Sequence, residues 1–335
     1  GHTEPMSDQK PSFGHVPVML NDALERLVPP SPDCLLIDGT LGLAGHSSAF
    51  LSRYPGLRLI GVDADAEVQA IARARLEPYG DRVSLVNLFF DEFFSGYAAA
   101  VARGEAERPG LVLFDFGVSM FHFRESGRGF SLQGDERLDM RLSSGAERTA
   151  ADLVAELDER ELLRIISEYG EEPFAYHITK AIVRERAAAR IDSTARLADI
   201  VRGAVPAKAR YGRIHPATRT FQALRIAVND ELGRIERVLP AAISCLAEGG
   251  LIACISFHSL EDRIVKRTFR SLELRKERAY FKEAGDRPIP VGEAERGLVI
   301  LTKKPVEPAD DEVAANPASR SAKLRVARAV GGARS

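Results

Sequence analysis

Asp38, Asp63 and Asp115 each close a short apolar run: Cys34–Asp38, Leu57–Asp63 and Leu111–Asp115. Such runs read as buried parallel strands whose carboxyl ends face a ligand. The first is followed by Gly39-Thr-Leu-Gly42-Leu-Ala-Gly45-His46. Three glycines let a backbone pass close to a ligand at a helix N-terminus. The G-x-x-G-x-x-G spacing is not the dinucleotide G-x-G-x-x-G, and a tight turn with no ligand is the plainer alternative. Asp63 lies 18 residues after Gly45, where an acid accepts hydrogen bonds from a ribose diol. It would otherwise cap a helix starting at Ala66. Three acids on one edge disfavour a phosphate ligand. They suit a neutral or cationic one, such as the sulfonium and amino acid of S-adenosylmethionine. Phe89 or Phe90 could then pack on the adenine, or both could be ordinary core.

A second group of residues is basic. Between Ile200 and Asn229 there is no acid, and six cations fall there: Arg202, Lys208, Arg210, Arg213, Arg219 and Arg225. Arg219, Gln222, Arg225 and Asn229 recur at helical spacing, a stripe able to grip a phosphate backbone or base edges. A solvated helix face would look the same. Ser256-Phe-His258-Ser259 ends another apolar run. His258 could orient a substrate there or simply cap the next helix.

The elements that must position these residues alternate. Runs of about five apolar residues at 34–38, 57–63, 82–86 and 111–115 are separated by helical stretches at 47–54, 66–76 and 91–103. This predicts βαβ units and a parallel sheet with right-handed crossovers. Residues 117–145 are rich in Gly, Ser, Arg and Asp and read as a long functional loop. Residues 149–205 are helical throughout, opened by a capping box at Thr149-Ala-Ala-Asp152. The α/β pattern resumes with a helix over 217–246, a strand at 251–256, a helix over 258–274 and an antiparallel edge strand at 297–302. Residues 305–316 read as an acidic linker. From Pro317 onward there are five Lys or Arg and no acid, the pattern of a mobile basic tail. Residues 1–10 read as an expression-tag remnant with a disordered start.

The expected class is therefore α/β: residues 11–123 and 217–304 form one discontinuous domain, 124–216 a loop plus an inserted helical domain, and 305–335 linker and tail. Composition bounds the function. The chain has 335 residues with 46 Lys+Arg against 48 Asp+Glu, a net charge of −2. That excludes a uniformly basic nucleic-acid coat but not a local basic face. Three cysteines, with no C-x-x-C and no histidine pair beside them, point to no structural zinc and to a reducing, cytoplasmic setting. No apolar run reaches the 18 residues a membrane span needs.

His215-Pro-Ala-Thr-Arg-Thr-Phe-Gln-Ala-Leu-Arg-Ile-Ala-Val-Asn229-Asp-Glu231-Leu and Ile255-Ser-Phe-His-Ser-Leu-Glu-Asp-Arg-Ile-Val-Lys266 resemble the MraW (RsmH) family of ribosomal RNA small subunit methyltransferases. Supporting blocks are His15-Val-Pro-Val-Met-Leu, Asp38 to Ser47, Gly127-Arg-Gly-Phe-Ser131, Leu138-Asp-Met-Arg141, Tyr169-Gly-Glu-Glu172 and Asn316-Pro-Ala-Ser-Arg-Ser321. The resemblance implies a Rossmann-like S-adenosylmethionine-dependent methyltransferase fold with an inserted all-helical domain. It implies N4-methylation of a cytidine in the decoding region of 16S rRNA, within the small ribosomal subunit. Carried over by position, its cofactor contacts fall on Ala44, Gly45, His46, Asp63, Phe90, Asp115 and His122. Asp115 is the candidate catalytic acceptor. Arg219, Gln222, Arg225, Asn229, Ser256 and His258 are the candidate RNA contacts, and a homodimer is a further expected partner. Two loops depart from the family pattern: Leu43-Ala44 stands where Arg-Gly is usual, and Met120-Phe121-His122 where Ser-Pro-Gln is usual. They motivate an alternative, a catalytically weak RNA-binding assembly factor. An NAD-dependent dehydrogenase on the same fold is a remoter one.

Overall fold

The computed structural model describes residues 16–117, 126–143, 145–274 and 297–331. Seven strands are described: β1 (Leu35–Asp38), β2 (Arg58–Val62), β3 (Val83–Val86), β4 (Leu111–Asp115), β5 (Leu251–Ser256), β6 (Gly297–Ile300) and β7 (Lys323–Val330). They form one sheet in the order β3-β2-β1-β4-β5-β7-β6. The first five are parallel, and β7 runs antiparallel between β5 and β6. The chain order reverses between β1 and β4, so the crevice for a ligand opens at their carboxyl ends.

Helices α1 (Leu20–Arg26), α2 (Gly45–Arg53) and α3 (Ala66–Leu76) accompany the first strands, and α4 (Phe90–Ala102) leads to β4. Asp65, not Asp63, caps α3, accepting from the amides of Glu67 and Val68. Each face of the sheet carries its own core. One gathers Leu36, Phe50, Leu59, Leu113, Ile255 and Leu324. The other gathers Ile37, Phe94, Phe114, Leu239, Cys254 and Phe269.

The insert has a third core, around Leu138, Ile166, Ile178, Leu197, Val201 and Leu224. Its helices are α5 (Ala150–Glu156), α6 (Glu159–Glu168), α7 (Ala175–Ala188), α8 (Thr194–Ala204) and the short α9 (Ala207–Arg210). The Thr149/Asp152 capping box is present in both directions. The expected helix over 217–246 is two helices, α10 (Thr218–Asn229) and α11 (Glu231–Cys245), broken at Asp230 with φ 47°. Helix α10 buries Ala217, Phe221 and Leu224 in the insert's core. The boundary expected at 216/217 therefore moves to the break at Asp230, because the helix goes where its apolar side is covered.

The linker and mobile tail expected at 305–335 are corrected. Residues Asp310–Ala315 form helix α13 (numbered after α12, Ser259–Leu272), and Lys323–Val330 is the inner strand β7. Lys-Leu-Arg-Val begins with the polar–apolar alternation of a strand, and the three cations of the segment obscure it. Arg325 is buried and makes a two-pronged pair with Asp262 of α12, at 2.7 and 3.0 Å. No helix among the described residues is long and apolar enough to cross a membrane, and none of their His, Cys, Asp and Glu side chains cluster as a metal site.

Candidate active site at the carboxyl edge of the sheet

Asp38, Asp63 and Asp115 meet at this edge, as the strand ends require. Asp38 is buried and accepts from the Ser47 hydroxyl at 2.6 Å and the Thr40 amide at 3.1 Å. Asp115 is partly open, its side chain 24% exposed. One oxygen accepts from the Gly117 amide at 3.2 Å. Burial pushes its carboxyl up to about 7, only partly opposed by that hydrogen bond. A carboxylate there has the basicity of a neutral-pH proton acceptor. His46 is buried, and its Nε2 lies 2.9 Å from the Val18 carbonyl. A carbonyl can only accept, so Nε2 carries the hydrogen in the neutral ring. Its Nδ1 faces the Asp115 carboxyl at 3.8 Å. Burial lowers the His46 pKa, which keeps the ring neutral. His46 thus pins α2 to the chain before α1, with its ring inside the protein.

The glycine-rich loop is held from β2. The Gly42 amide donates to one Asp63 oxygen at 2.9 Å, and the Asp65 amide to the other at 2.8 Å. Gly42 and Ala44 both sit in the left-handed region, with φ 53° and 62°. Glycine is at home there; an alanine is strained by about 1–2 kcal/mol. The loop therefore takes a glycine's turn at Ala44 without the glycine. Ala44 precedes α2 with no side-chain cap, so the first amides of the helix have no side-chain partner at that position. Phe90 packs its ring on Phe114 and Phe116 at 5.7 and 5.6 Å. The Phe89 face is taken by the Arg234 guanidinium at 3.5 Å. His122 lies outside the described residues. A carboxylate after β2, an aromatic ring after β3, uncapped amides after β1 and an acid after β4 suit a nucleoside with a cationic tail. They are the donor set S-adenosylmethionine would need.

The second group lies beside the ends of β5 and α10. Ser256 is buried and His258 nearly so; neither the Ser256 Oγ nor either His258 ring nitrogen makes a hydrogen bond, and the His258 Nε2 faces the Glu261 carboxyl at 3.4 Å. His258 occupies the cap position of α12 but makes no cap bond. Burial, with the Arg225 charge adding to it, pushes its pKa down to about 4. Glu261, one turn on, is fully buried, and burial pushes its carboxyl up to about 8. It accepts from the Phe257 amide at 2.9 Å. Arg225 reaches across from α10, its Nε 3.1 Å from Glu231. Arg219 is exposed, and Gln222 donates to the Tyr169 carbonyl at 3.1 Å. Asn229 is corrected as an RNA contact. Its amide is buried and spent on the Met140 and Arg225 carbonyls and the Leu142 amide, all at 2.9 Å. It ties the loop before α5 to α10 and presents no polar atom outward.

Four further residues that the spacing did not reveal shape the site. The Thr40 hydroxyl accepts from the Asp115 amide at 2.5 Å and fixes the end of β4. Arg128, within the Gly-Arg-Gly-Phe-Ser block, pairs with Asp65 and so joins the insert to the end of β2. Glu231 and Glu261 place two buried carboxyls around Arg225 and His258. Each sits in a short block that matched the family, which was the only signal for it. The Tyr-Gly-Glu-Glu block also fastens the insert. A side chain at Gly170 would strike the Ile166 and Arg219 carbonyls at 2.6 and 2.7 Å. Glu171, at φ 50°, then reaches the Ser259 hydroxyl at 2.9 Å.

Known proteins are similar to this chain over most of its length. A profile described as the MraW methylase family matches residues 12–330. A protein of Treponema denticola named ribosomal RNA small subunit methyltransferase H is 48% identical, over 94% of this chain and 97% of its own. One of the same name from Synechococcus sp. is 46% identical, over 95% and 98%. A solved rRNA methylase of Streptococcus thermophilus is matched at 8% identity with a TM-score of 0.38, covering 95% of this chain and 98% of that one.

Proposed function

The chain belongs to the MraW methylase family, and on that premise we propose that it methylates N4 of a cytidine in small-subunit ribosomal RNA with S-adenosylmethionine. The observation that carries this reading is Asp115. It is a partly open carboxyl whose pKa burial pushes up to about 7, beside Thr40 and His46 of the glycine-rich loop. When bound, the cofactor supplies an electrophilic methyl group on a sulfonium.

The protein's part is to make a poor nucleophile attack. The cytosine amine has its lone pair delocalised into the ring. Asp115 accepts one N–H of that amine, localises the pair, and takes the proton as the C–N bond forms. Ser256 and His258, with polar atoms left open, are placed to hold other polar positions of the base. The base must leave its stack to reach them. Asp63 holds the ribose hydroxyls, the Ala44-Gly45 backbone the amino-acid end, and Phe90 the adenine. His122 is assigned only by position in the family. Arg219 meets phosphate. The dehydrogenase alternative falls with the family assignment.

In this reading the enzyme works in the cytoplasm, where its three free, buried cysteines stay reduced. A second copy of the chain remains a candidate partner, to be read by light scattering. The function is tested by incubating unmethylated small subunits with labelled cofactor and digesting the rRNA to nucleosides. N4-methylcytidine at one position supports it. Label on another base or atom, or none at all, rejects it.

A further inference from the structure

The insert contains a cavity of about 740 Å³ between the loop before α5 and helix α10. Phe130 and Phe221 form its apolar side; Ser131, Gln133, Glu136, Thr218, Gln222 and Arg225 bring polar atoms to it, one Glu136 oxygen being held by the Gly129 amide at 3.0 Å. That volume is in the range of small-molecule sites. Thr218, Gln222 and Arg225 lie at i, i+4 and i+7, so one face of α10 runs from the cavity mouth to the catalytic edge.

The polar groups are only partly used. Arg225 is 15% exposed and spends its Nε on Glu231. Its two terminal nitrogens have no hydrogen-bond partner among the described residues. Gln222 spends its amide nitrogen on Tyr169, which leaves its carbonyl oxygen open. The buried polar atoms left without a partner among the described residues do not include these nitrogens, so water reaches them and a bound base would take the place of that water. Two parallel donors, one acceptor and an apolar aromatic wall are what an unstacked base needs: a polar edge to read and a face to cover.

We propose that this cavity binds a second nucleotide of the RNA strand, the one directly beside the methylated cytidine. The proposal rests on the reading above that RNA is the substrate. The target base itself belongs elsewhere, because neither Asp115 nor His258 lines the cavity. Arg225 links the two places: it lines the cavity and its charge acts on His258. A base seated in the cavity therefore sets the strand's register over Asp115, and methylation becomes selective for a pair of nucleotides rather than one.

The test uses small subunits whose rRNA carries a single abasic residue on one side or the other of the target. For the parent enzyme, one of these substrates should raise KM about tenfold with kcat nearly unchanged, the size expected for a lost base contact. Thr218→Trp fills the mouth from an exposed position, and Gln222→Ala removes the polar partner without enlarging a side chain. Each should raise KM on intact subunits about five- to tenfold with cofactor binding as in the parent; Thr218→Trp should keep the parent melting temperature, and Gln222→Ala should lower it slightly through the lost bond to the Tyr169 carbonyl. On the abasic substrate the losses should not multiply, because variant and substrate delete one contact. Abasic substrates that both behave as intact ones overturn the proposal, as do losses that multiply. No methyl transfer by the parent enzyme to intact subunits overturns the function itself instead.

Discussion

Two polar clusters flank the carboxyl edge of the sheet, and they differ in how complete they are. On the β1 side, Asp38, His46 and Asp63 have their oxygens and the His46 Nε2 engaged by protein groups. On the β5 side, the Ser256 Oγ and the His258 ring nitrogens make no hydrogen bond, although the His258 Nε2 stands 3.4 Å from the Glu261 carboxyl, and Arg225 has one bond where it could make several. Both clusters are buried. A buried polar group without a partner costs about 1–3 kcal/mol, so the second cluster stores free energy that a bound partner would recover. The first cluster is a finished frame, which in the proposed function would receive the cofactor. In the function proposed above, the second would be a half-made interface completed by the substrate.

The largest expected effect separates chemistry from stability at the point where the clusters meet. Asp115→Asn should lower the single-turnover methylation rate by about 10²–10⁴-fold, the range for losing a proton acceptor. In the parent enzyme the rate should rise with pH through about 7 and level off above it. The stability effect has the opposite sign. Asp115 has a folded pKa of about 7, above its ordinary value, so the folded state binds its proton more tightly than the unfolded state. Stability from this group is present at low pH and is lost as pH rises from about 4 through 7. Asn carries no charge to bury. At pH 8 the variant should therefore be more stable than the parent by about 1–2 kcal/mol, since each pH unit between the two values is worth about 1.4 and water reaches part of the carboxyl. Chemical denaturation at pH 4 and pH 8 reads this. Equal loss of stability at both would mean that Asp115 is a structural acid.

Arg325→Ala tests whether β7 supports the substrate side. It leaves Asp262 buried without its partner, which should cost about 3–5 kcal/mol. Asp262 directly follows Glu261 in α12, so the Ser256–Glu261 region should loosen first. Hydrogen exchange should rise in residues 256–262 before it rises in residues 38–48. Uniform exchange would mean that the two flanks unfold as one unit.

Asp63→Ala tests the finished side. The lost charge-assisted hydrogen bonds should weaken S-adenosylmethionine binding by about 1–3 kcal/mol. Calorimetry measures it, and subunit binding should be unchanged. If subunit binding falls in step with cofactor affinity, the clusters are coupled and the contrast between them is too simple.

The sheet was legible because each strand announces itself twice, by an apolar run and by an acid at its end. The same reasoning failed at residues 323–330, where three cations among eight residues masked a strand. Charge says little about burial when a partner such as Asp262 comes from 63 residues away. The candidate site was legible at Asp38, Asp63 and Asp115, whose roles follow from position in a doubly wound sheet. Glu231 and Glu261 were not, since nothing in a single helix shows that its carboxyl will be buried beside another helix's arginine. Asn229 shows the converse. Helical spacing placed it on the stripe with Arg219 and Gln222, but periodicity gives only a direction. It cannot show that a loop from residues 138–142 will cover the end of that stripe.

The smallest expected effect falls on what is left of that stripe. Of its four members, Asn229 is spent inside the protein, Gln222 and Arg225 line the cavity, and only Arg219 is exposed. An exposed arginine beside a half-made RNA interface contributes mainly by neutralising one phosphate. Each such contact releases bound counterions and adds a little under one unit to the slope of log affinity against log salt. Arg219→Ala should therefore weaken subunit binding a few-fold at low salt, and less as salt rises. The slope should flatten by about 0.7–0.9, with cofactor affinity and melting temperature unchanged. Arg225→Ala should behave differently: it strands Glu231 and Glu261 as buried acids, so its loss should appear in stability before it appears in salt dependence. A filter-binding titration of both variants at several salt concentrations separates the two. If both flatten the slope equally and neither changes melting, Arg225 faces the solvent as Arg219 does, and the distinction between the finished and half-made clusters fails on the substrate side.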